Sequence, residues 1–488
     1  MRIFHNPHLQ IASKKITSEV SLPNQIRCRK NYPWKNWGET ASCQPEISFY
    51  PEKVEDLIDI VKFARNTKKR IRVAATGHSW SKLIPTDDIL VYVHKLNHVE
   101  MDFSDQEKPK VLIECGATVK EVNNVLERHG YALPLNIVLE SARFGGLIAT
   151  GSHGSGWNNS TLSDLVHSIE IVIASGQLQR FETGIDDDEV MNAAKLNLGM
   201  FGITYRMKLY VQKSYTVRAV DRRAPLLETI ENIKELIISH ENCDLFWWPF
   251  CDQIWIKSWD KIDAEITAKP RKNLWYDFEA AITSRLFRET LKLLKRFPQL
   301  TPEMCKLFFK MTPSVRDDIV DLVEAIHYRR SIEVTKVGCL EIAFKVDPDF
   351  ENVKKAINIV LEKNREYAAK GKYPLNLTMN VRFINGSQCL LSPAFGEGHT
   401  CFIEILSRAD QKEWEQFSSE VALQWLKLPK ALPHWAKEFE HIPGITTHIR
   451  REMGDNINIF NDIKQRLKLD IDNIFMNDLL MKIFLVKS

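Results

Sequence analysis

Apolar residues recur alternately at helical and at strand spacing from about residue 51 onward. Val54, Leu57 and Val61 fall on one helical face shortly after Pro51, which suits a first helical turn. The stretch Ile71–Ala75 then predicts a short strand that leads into a glycine turn. This alternation of helix and strand signals predicts a mixed α and β arrangement for the start of the chain.

A second helix is predicted to begin after Thr118. This residue is a favourable N-cap, Glu121 completes a capping box three residues later, and Gly130 is suited to end the helix. Beyond a glycine-rich stretch, Val166–Ala174 and Ile203–Val211 carry patterns typical of strands. The same mixture of elements therefore continues to about residue 212.

The pattern changes after residue 213. A mainly helical stretch is predicted at 274–330, and strand patterns follow at 332–346 and 375–391. The last segment carries a predicted helix at Asn461–Leu467. We therefore expect three parts, namely a first domain at 1–212, a second domain at 213–448 and a C-terminal tail at 449–488.

Composition limits the partners that the chain is expected to bind. The 488 residues are 44% hydrophobic and 26% charged with a net charge of +3, so we expect a large core and no nucleic-acid partner. The nine cysteines include no C-x-x-C pair, which disfavours structural zinc and favours a reducing compartment. We expect a cytoplasmic protein without a membrane span or secretory signal, and a short peripheral membrane contact is the alternative.

Two glycine-containing segments have the composition of phosphate-binding loops. Small residues let the backbone approach a phosphate closely, and hydroxyl groups add hydrogen bonds without bulk. Neither segment matches the dinucleotide fingerprint or the P-loop, so Rossmann and P-loop enzymes are disfavoured. The candidate cofactor-binding residues are Ala75, Thr76, Gly77, His78, Ser79, Trp80, Ser81, Gly145, Gly146, Ala149, Thr150, Gly151, His153, Gly154, Ser155 and Gly156.

Four side chains are candidates for the chemistry. His78 lies in a turn, where it is a general base, a metal ligand, a nucleophile toward a cofactor or an ordinary surface residue; no second histidine at ligand spacing supports the metal option. Asn380 and Arg382 share one face of a predicted strand, where an inward arginine needs a partner or ligand and an edge arginine does not. Lys437 lies among aromatic residues, where it either stabilises negative charge or is an ordinary solvated lysine.

The ordered set of motifs resembles the aldonolactone oxidase family within the vanillyl-alcohol-oxidase superfamily of flavoproteins. The resemblance covers most of the chain, and it depends on the set rather than on any one motif. It implies an α+β fold with a PCMH-type FAD-binding domain, a cap domain built on an antiparallel sheet and a C-terminal tail that returns to the flavin side. The matching stretches are Asn36–Gly38, Tyr50–Glu52, Thr76–Ser79, Ala149–Gly156, Leu198–Thr204, Phe246–Pro249, Pro433–Lys437 and Phe475–Asn477.

This resemblance implies an FAD-dependent oxidase or dehydrogenase that acts on the H–C–OH group of a sugar lactone, a polyol or a related sugar acid. The FAD would be joined covalently to His78, and Gly202 and Ile203 would complete its site, with Ile203 by the adenine end. Arg382, Lys437 and Asn380 would lie at the substrate. Either O₂ or an electron carrier would reoxidise the flavin, and no metal is expected.

Two departures from the family pattern motivate a hypothesis about the substrate. Asn380 stands where members usually have glutamate, so Arg382 is expected to lose a carboxylate neighbour. Arg143 stands where alditol-oxidising members have a small polar residue. Together these changes predict a more cationic site and an acidic substrate.

Three other interpretations stay open. A large apolar alcohol such as a sterol would suit an apolar pocket formed by Trp247, Trp248, Phe250 and Trp255, although such a cluster more often belongs to a core. A non-catalytic flavin-binding protein is the second. The third is a metal-dependent hydrolase that uses His78 and His153.

Overall fold

The computed structural model describes residues 23, 26–264, 289–327 and 336–485. Parts of the predicted helical stretch, at 274–288 and 328–330, and the start of the next strand pattern, at 332–335, lie outside the described residues. None of the helices in the described part has the length and apolar character needed to cross a membrane.

The first half of the chain contains two main sheets and four helices. The strands are β1 (Cys28–Lys30), β2 (Trp34–Lys35), β3 (Ser42–Cys43), β4 (Ile47–Phe49), β5 (Ile71–Ala74), β6 (Ile89–Tyr92), β7 (Val99–Asp102), β8 (Lys110–Glu114), β9 (Tyr131–Ala132), β10 (Val166–Val172), β11 (Leu178–Glu182), β12 (Ile203–Tyr210) and β13 (Gln212–Lys213). The helices are α1 (Val54–Thr67), α2 (Val119–Arg128), α3 (Phe144–Ala149) and α4 (Asp188–Lys195). One sheet has the order β1-β4-β6-β5, in which β4 and β5 pair in parallel with β6 and β1 pairs antiparallel with β4. The other has the antiparallel order β11-β10-β12-β8-β7.

A local sequence signal accounts for the start of α2. Thr118 accepts a hydrogen bond from the backbone N–H of Glu121, whose carboxylate accepts one from the backbone N–H of Thr118, as the capping-box prediction required. The helix α1 connects β4 to β5 as a crossover, which allows both strands to pair in parallel with β6.

The second half is organised around one antiparallel sheet. Its order is β17-β14-β16-β15-β19-β20-β18-β21. The strands are β14 (Thr216–Pro225), β15 (Asn242–Trp247), β16 (Gln253–Lys261), β17 (Val315–Asp321), β18 (Val337–Lys345), β19 (Met379–Ile384), β20 (Thr400–Arg408) and β21 (Leu432–Pro433). The labelled helices are α5 (Leu226–Glu231), α6 (Ile233–Ile238), α7 (Thr301–Lys310), α8 (Leu322–Ile326), α9 (Glu351–Ala368) and α10 (Trp414–Trp425).

The helical prediction for 274–330 is therefore wrong at β17. This strand forms the sheet edge and pairs with β14 along its length, so tertiary pairing decides its conformation. The mixed helices and antiparallel sheets agree with the predicted α+β fold.

The C-terminal segment folds back onto the first half. It contains α11 (Ile445–Arg466) and α12 (Asp478–Phe484), so the last long helix starts well before the predicted Asn461. The backbone N–H of Ile71 donates to the carbonyl of Ile474, and the amide of Asn477 donates to the carbonyls of Lys82 and Leu83. These bonds tie the tail to the strand and loop that precede the cavity described below.

The buried guanidinium of Arg72, in β5, holds the C-terminal segment against the first half of the molecule. It donates to the carbonyls of Leu83, Leu198 and Phe475, which belong to separate parts of the chain. Because carbonyls left without donors in a buried site are costly, we expect Arg72→Lys to lower the free energy of unfolding by about 2–4 kcal/mol.

Urea denaturation followed by circular dichroism measures this change. The exposed Arg65→Lys substitution, in α1, is the control and should change the free energy by less than about 0.5 kcal/mol. Equal stability of Arg72→Lys and the wild-type protein would contradict this account of the tail.

Candidate functional site

A cavity of about 830 Å³ lies between the loops of the first half and one face of the large sheet. The predicted residues that line it are Ala75, Thr76, Gly77, His78, Ser79, Trp80, Gly145, Gly146, Ala149, Thr150, His153, Gly154, Ser155, Gly202, Asn380, Arg382 and Lys437. The structure thus brings most of the predicted cofactor residues together with the three predicted catalytic residues.

Four predicted cofactor residues do not belong to the cavity wall. They are Ser81, Gly151, Gly156 and Ile203. Ile203 is fully buried in the core, and Ser81 lies behind the wall, where its hydroxyl contacts that of Ser79. Gly156 joins the two halves instead, because its backbone N–H donates to the carbonyl of Phe383.

The loop that holds His78 has the properties of a phosphate-binding turn. Gly77 has a φ of +74°, a conformation that favours glycine. The backbone N–H groups of Thr76, Gly77 and Ser79 have no hydrogen-bond partner among the described residues. Successive N–H groups without protein partners on a tight turn at a cavity wall fit an anionic ligand such as a pyrophosphate.

The side chain of His78 is held at the cavity wall. Its Nε2 lies 3.0 Å from the Ser141 hydroxyl, and its ring lies 5.6 Å from that of Trp37. The loop itself is anchored on both sides, because Trp37 donates its backbone N–H to Gly77 and Trp80 donates its own to Ala436. The imidazole is therefore fixed at one place on the wall.

Composition predicted a loop for the whole second glycine segment, but its first residues form a helix. Gly145 and Gly146 lie within the short helix α3. A Cβ on Gly145 would lie 2.8 Å from the carbonyl oxygen of Cys115, so this glycine allows close packing of the helix on the end of β8. A Cβ on Gly146 would meet no atom within 4 Å, and this glycine keeps the cavity wall open. The two segments together fit the elongated, pyrophosphate-containing FAD.

A cluster of charged side chains lines the sheet side of the cavity. Asn380, Glu404 and Glu341 are direct cross-strand neighbours on β19, β20 and β18. Glu404 accepts a hydrogen bond of 2.7 Å from the Asn380 amide and one of 2.5 Å from the Lys437 ammonium. Cross-strand pairing places Asn380, Glu404 and Glu341 on the cavity face of the sheet, and Lys437 reaches the same cavity from the segment after β21.

Arg382 lies among three carboxylates. Its guanidinium is 3.6 Å from Asp244, 3.7 Å from Glu404 and 3.9 Å from Glu341. The expectation that Asn380 leaves Arg382 without a carboxylate neighbour is wrong. The reason is long-range pairing, because these carboxylates belong to strands that are distant in sequence.

Arg143 lines the same cavity. Its guanidinium donates to the backbone carbonyl of Gly116, so part of its hydrogen bonding is already used. Three carboxylates face Arg382 and Lys437 and balance part of the positive charge of the site. The acidic substrate stays a prediction.

Electrostatics fix the charge states of this cluster. Burial raises the pKa of Glu404, but the Lys437 ammonium and the Arg382 guanidinium outweigh it and hold that pKa well below its usual range. Burial is the main cause that raises the pKa of Asp244, against the opposing effect of Arg382. Burial also lowers the pKa values of His153 and His434, and the nearby Lys437 ammonium lowers them further. At neutral pH the site therefore holds an anionic Glu404 beside neutral imidazoles.

Asp244, Glu341 and Glu404 are the residues that motif reading missed. A signal was present, since Glu341 and Glu404 each interrupt an apolar strand at a buried position. A buried carboxylate in such a strand requires a charged or hydrogen-bonded partner, which the local sequence does not identify.

A metal ion fits this cluster poorly. Among the described residues, His153, Glu341 and His434 bring ligand-type atoms within 4.8 Å of one another. However, the His434 Nδ1 accepts the backbone N–H of Ala436, and two cations lie 3.6 and 3.9 Å from the Glu341 carboxylate. An added cation would meet repulsion and an occupied nitrogen.

Comparisons with known protein families agree with the cavity's chemistry. Residues 45–182 match the model of an FAD binding domain, and residues 207–483 match that of D-arabinono-1,4-lactone oxidase. An L-gulonolactone oxidase of Scyliorhinus torazame is 25% identical over 93% of this chain and 98% of its own length. An L-gulono-1,4-lactone dehydrogenase of Mycobacterium tuberculosis is 25% identical over 91% of this chain and 97% of its own length.

Several solved structures share the fold at low sequence identity. A solvent-stable cholesterol oxidase superimposes with a TM-score of 0.79 at 16% identity, covering 95% of this chain and 99% of that one. A chitooligosaccharide oxidase superimposes with a TM-score of 0.66 at 11% identity, covering 91% and 93%. A VAO-type flavoprotein of Myceliophthora thermophila also matches with a TM-score of 0.66. These similarities establish the fold.

The depressed pKa of Glu404 predicts a pH-dependent contribution to stability. The folded state binds fewer protons than the unfolded state, in which a glutamate has a pKa of about 4.3, so stability is present above that pH and lost below it. We expect the free energy of unfolding to fall between about pH 5 and pH 3, and Glu404→Gln to remove part of that slope.

Urea unfolding at several pH values tests this expectation. Glu415→Gln, at an exposed position of α10, is the control and should retain the wild-type slope. An unchanged slope in Glu404→Gln would show that its carboxylate is not held by these cations.

Proposed function

This chain belongs to the D-arabinono-1,4-lactone oxidase family, and from that premise we propose that it oxidises an H–C–OH group of a sugar lactone or a related polyol or sugar acid. It is an FAD-dependent oxidoreductase. The observation that supports the proposed site most strongly is the meeting of the His78 loop, Arg382 and Lys437 in one cavity.

The two sides of the cavity have different proposed roles. The His78 loop and the wall from Gly145 to Ser155 would hold FAD, and His78 would carry it covalently. When bound, FAD supplies an acceptor for the two electrons and the hydrogen removed from the carbinol carbon. Arg382 and Lys437 would hold the substrate oxygen and compensate negative charge that develops there.

The carboxylates of the cluster position these cations. Glu404 receives a hydrogen bond from Lys437 and lies 3.7 Å from Arg382, so neither cation needs to move when the substrate enters. Asn380 donates to Glu404 and thereby holds it from the third side. Groups whose geometry is fixed before the reaction lose less energy to reorganisation during it.

A large apolar alcohol is a second candidate substrate. Phe246, Trp248 and Trp255 line the cavity beside the charged cluster and also pack in a core cluster with the 289–312 region. Trp247 instead donates to the carbonyl of Cys251 and belongs to the main core. Turnover of a sterol in preference to lactones would favour this candidate.

The finer organisation of the protein also remains a proposal. The domain limits 1–212, 213–448 and 449–488 are supported by the sheet that spans residues 216–433 and by the tail's contacts with β5. A cytoplasmic location is supported by nine cysteines in the free thiol form. The acceptor is proposed to be O₂ or an electron carrier, and a peripheral membrane contact is a further proposal.

The covalent role of His78 has a direct test. We expect acid-precipitated wild-type protein to retain yellow, fluorescent flavin in the pellet, and His78→Ala to release it. The substitution of His98, an exposed histidine, by alanine is the control and should behave as wild type. Flavin in the supernatant of the wild-type protein would rule out the covalent bond and leave FAD binding intact.

The role of Arg382 is tested by turnover of D-arabinono-1,4-lactone and L-gulono-1,4-lactone. Because one fixed cation at developing charge contributes roughly 10²–10³ in rate, we expect Arg382→Met to lower kcat/KM by about that factor while FAD content is retained. Peroxide formation and reduction of an artificial acceptor are measured in parallel, which identifies the acceptor.

The exposed Arg451→Met substitution is the control for general effects of charge removal. Wild-type kcat/KM in Arg382→Met would exclude Arg382 from the substrate site.

A further inference from the structure

One carboxylate oxygen at the cavity has no hydrogen-bond donor among the described residues. It is Oε1 of Glu341, in β18, whose side chain is only 2% exposed. The residue lines the cavity. Buried polar atoms are almost always paired, so an unpaired oxygen at a cavity wall indicates that a ligand donates to it.

The groups that face Glu341 come from four other parts of the structure. Arg382 on β19 and Lys437 after β21 lie 3.9 and 3.6 Å from its carboxylate oxygens, too far for hydrogen bonds. Glu404 is its cross-strand neighbour on β20. His153, from the first half, places Nε2 3.7 Å from Oε1. The thiols of Cys339 and Cys401 and the imidazole of His434 complete the titratable surroundings.

The proton of His153 lies on the nitrogen that faces away from Glu341. Its Nδ1 is 3.0 Å from the carbonyl oxygen of Gly154, and a carbonyl can only accept, so Nδ1 is the donor. Burial lowers the pKa of His153, which keeps the imidazole neutral. The lone pair of Nε2 therefore faces Oε1 of Glu341, and a proton placed between these two acceptors would interact with both.

The other carboxylates at the cavity accept hydrogen bonds from the protein. Glu404 accepts from Lys437, Asn380 and the Cys339 thiol. Asp244 accepts from the Ser155 hydroxyl. The Asn380 Oδ1 also lacks a donor among the described residues, but a neutral amide oxygen is too weak a base to take the proton, so Glu341 has the available carboxylate oxygen.

We propose that Oε1 of Glu341 accepts the proton of the substrate hydroxyl, and that the lone pair on Nε2 of His153, 3.7 Å from Oε1, stabilises the protonated carboxyl electrostatically. The inference rests on the proposed function. The O–H bond of the substrate breaks as the Glu341 O–H bond forms, and the carbinol carbon becomes a carbonyl carbon. Its hydrogen and the electron pair of its C–H bond pass to FAD, so charge and electrons balance.

The first test compares Glu341→Gln with the wild-type protein. The amide keeps the shape but cannot take the proton, so we expect anaerobic flavin reduction by D-arabinono-1,4-lactone to slow by about 100-fold or more and to lose its pH dependence. FAD content and the lactone dissociation constant should stay within about threefold, because binding is held by other groups.

The matched control is Glu170→Gln. Glu170 is a partly buried glutamate that pairs with Arg206 in the first half and does not line the cavity. It should leave the rate and its pH profile unchanged. Flavin reduction by Glu341→Gln at the wild-type rate with the wild-type pH profile would overturn the proposal, and so would an effect confined to the lactone dissociation constant.

The second test reads the proton directly. Infrared difference spectra recorded on anaerobic reduction by the lactone should show a new carboxylic-acid C=O band that shifts in D₂O and is missing in Glu341→Gln. A band that persists in the variant would place the proton elsewhere. If neither D-arabinono-1,4-lactone nor L-gulono-1,4-lactone reduces the wild-type flavin, the proposed function fails. If reduction proceeds without a Glu341-dependent band, only the present inference fails.

Discussion

The arrangement of the cavity depends on the buried ion cluster centred on Glu404. This carboxylate holds Lys437, contacts Arg382 and is in turn held by Asn380. Burying these charges is costly unless each finds a partner, and removing one partner leaves another charge exposed to a medium that cannot solvate it. The cluster therefore fixes the relative positions of β19, β20 and the segment after β21.

The same cluster connects the two halves of the molecule. The Lys437 ammonium lies 4.8 Å from the centre of the Trp80 ring, and the backbone N–H of Trp80 donates to Ala436. The segment that carries the cation is thus bound to the loop that carries His78. The proposed cofactor side and substrate side of the cavity are held in one geometry by contacts a few residues apart.

Sequence patterns predicted the parts of this structure that depend on local chemistry. The capping box at Thr118, the strand before the His78 loop and the shared face of Asn380 and Arg382 all follow from neighbouring residues. The family resemblance agreed with the fold and the FAD-binding chemistry. By contrast, the strand β17 and the carboxylates around Arg382 depend on pairing between distant strands. The substitution of glutamate by asparagine at residue 380 suggested a missing charge because its cross-strand neighbour Glu404 could not be identified from spacing alone.

The central claim is that FAD and a sugar lactone meet in this cavity between the His78 loop and the charged cluster. A crystal structure of the flavin-loaded protein, reduced and soaked anaerobically with D-arabinono-1,4-lactone, tests it most directly. We expect the flavin ring beside His78 and a lactone oxygen in contact with Arg382 and Lys437. A flavin bound away from His78, or a lactone bound outside the reach of both cations, would contradict the account.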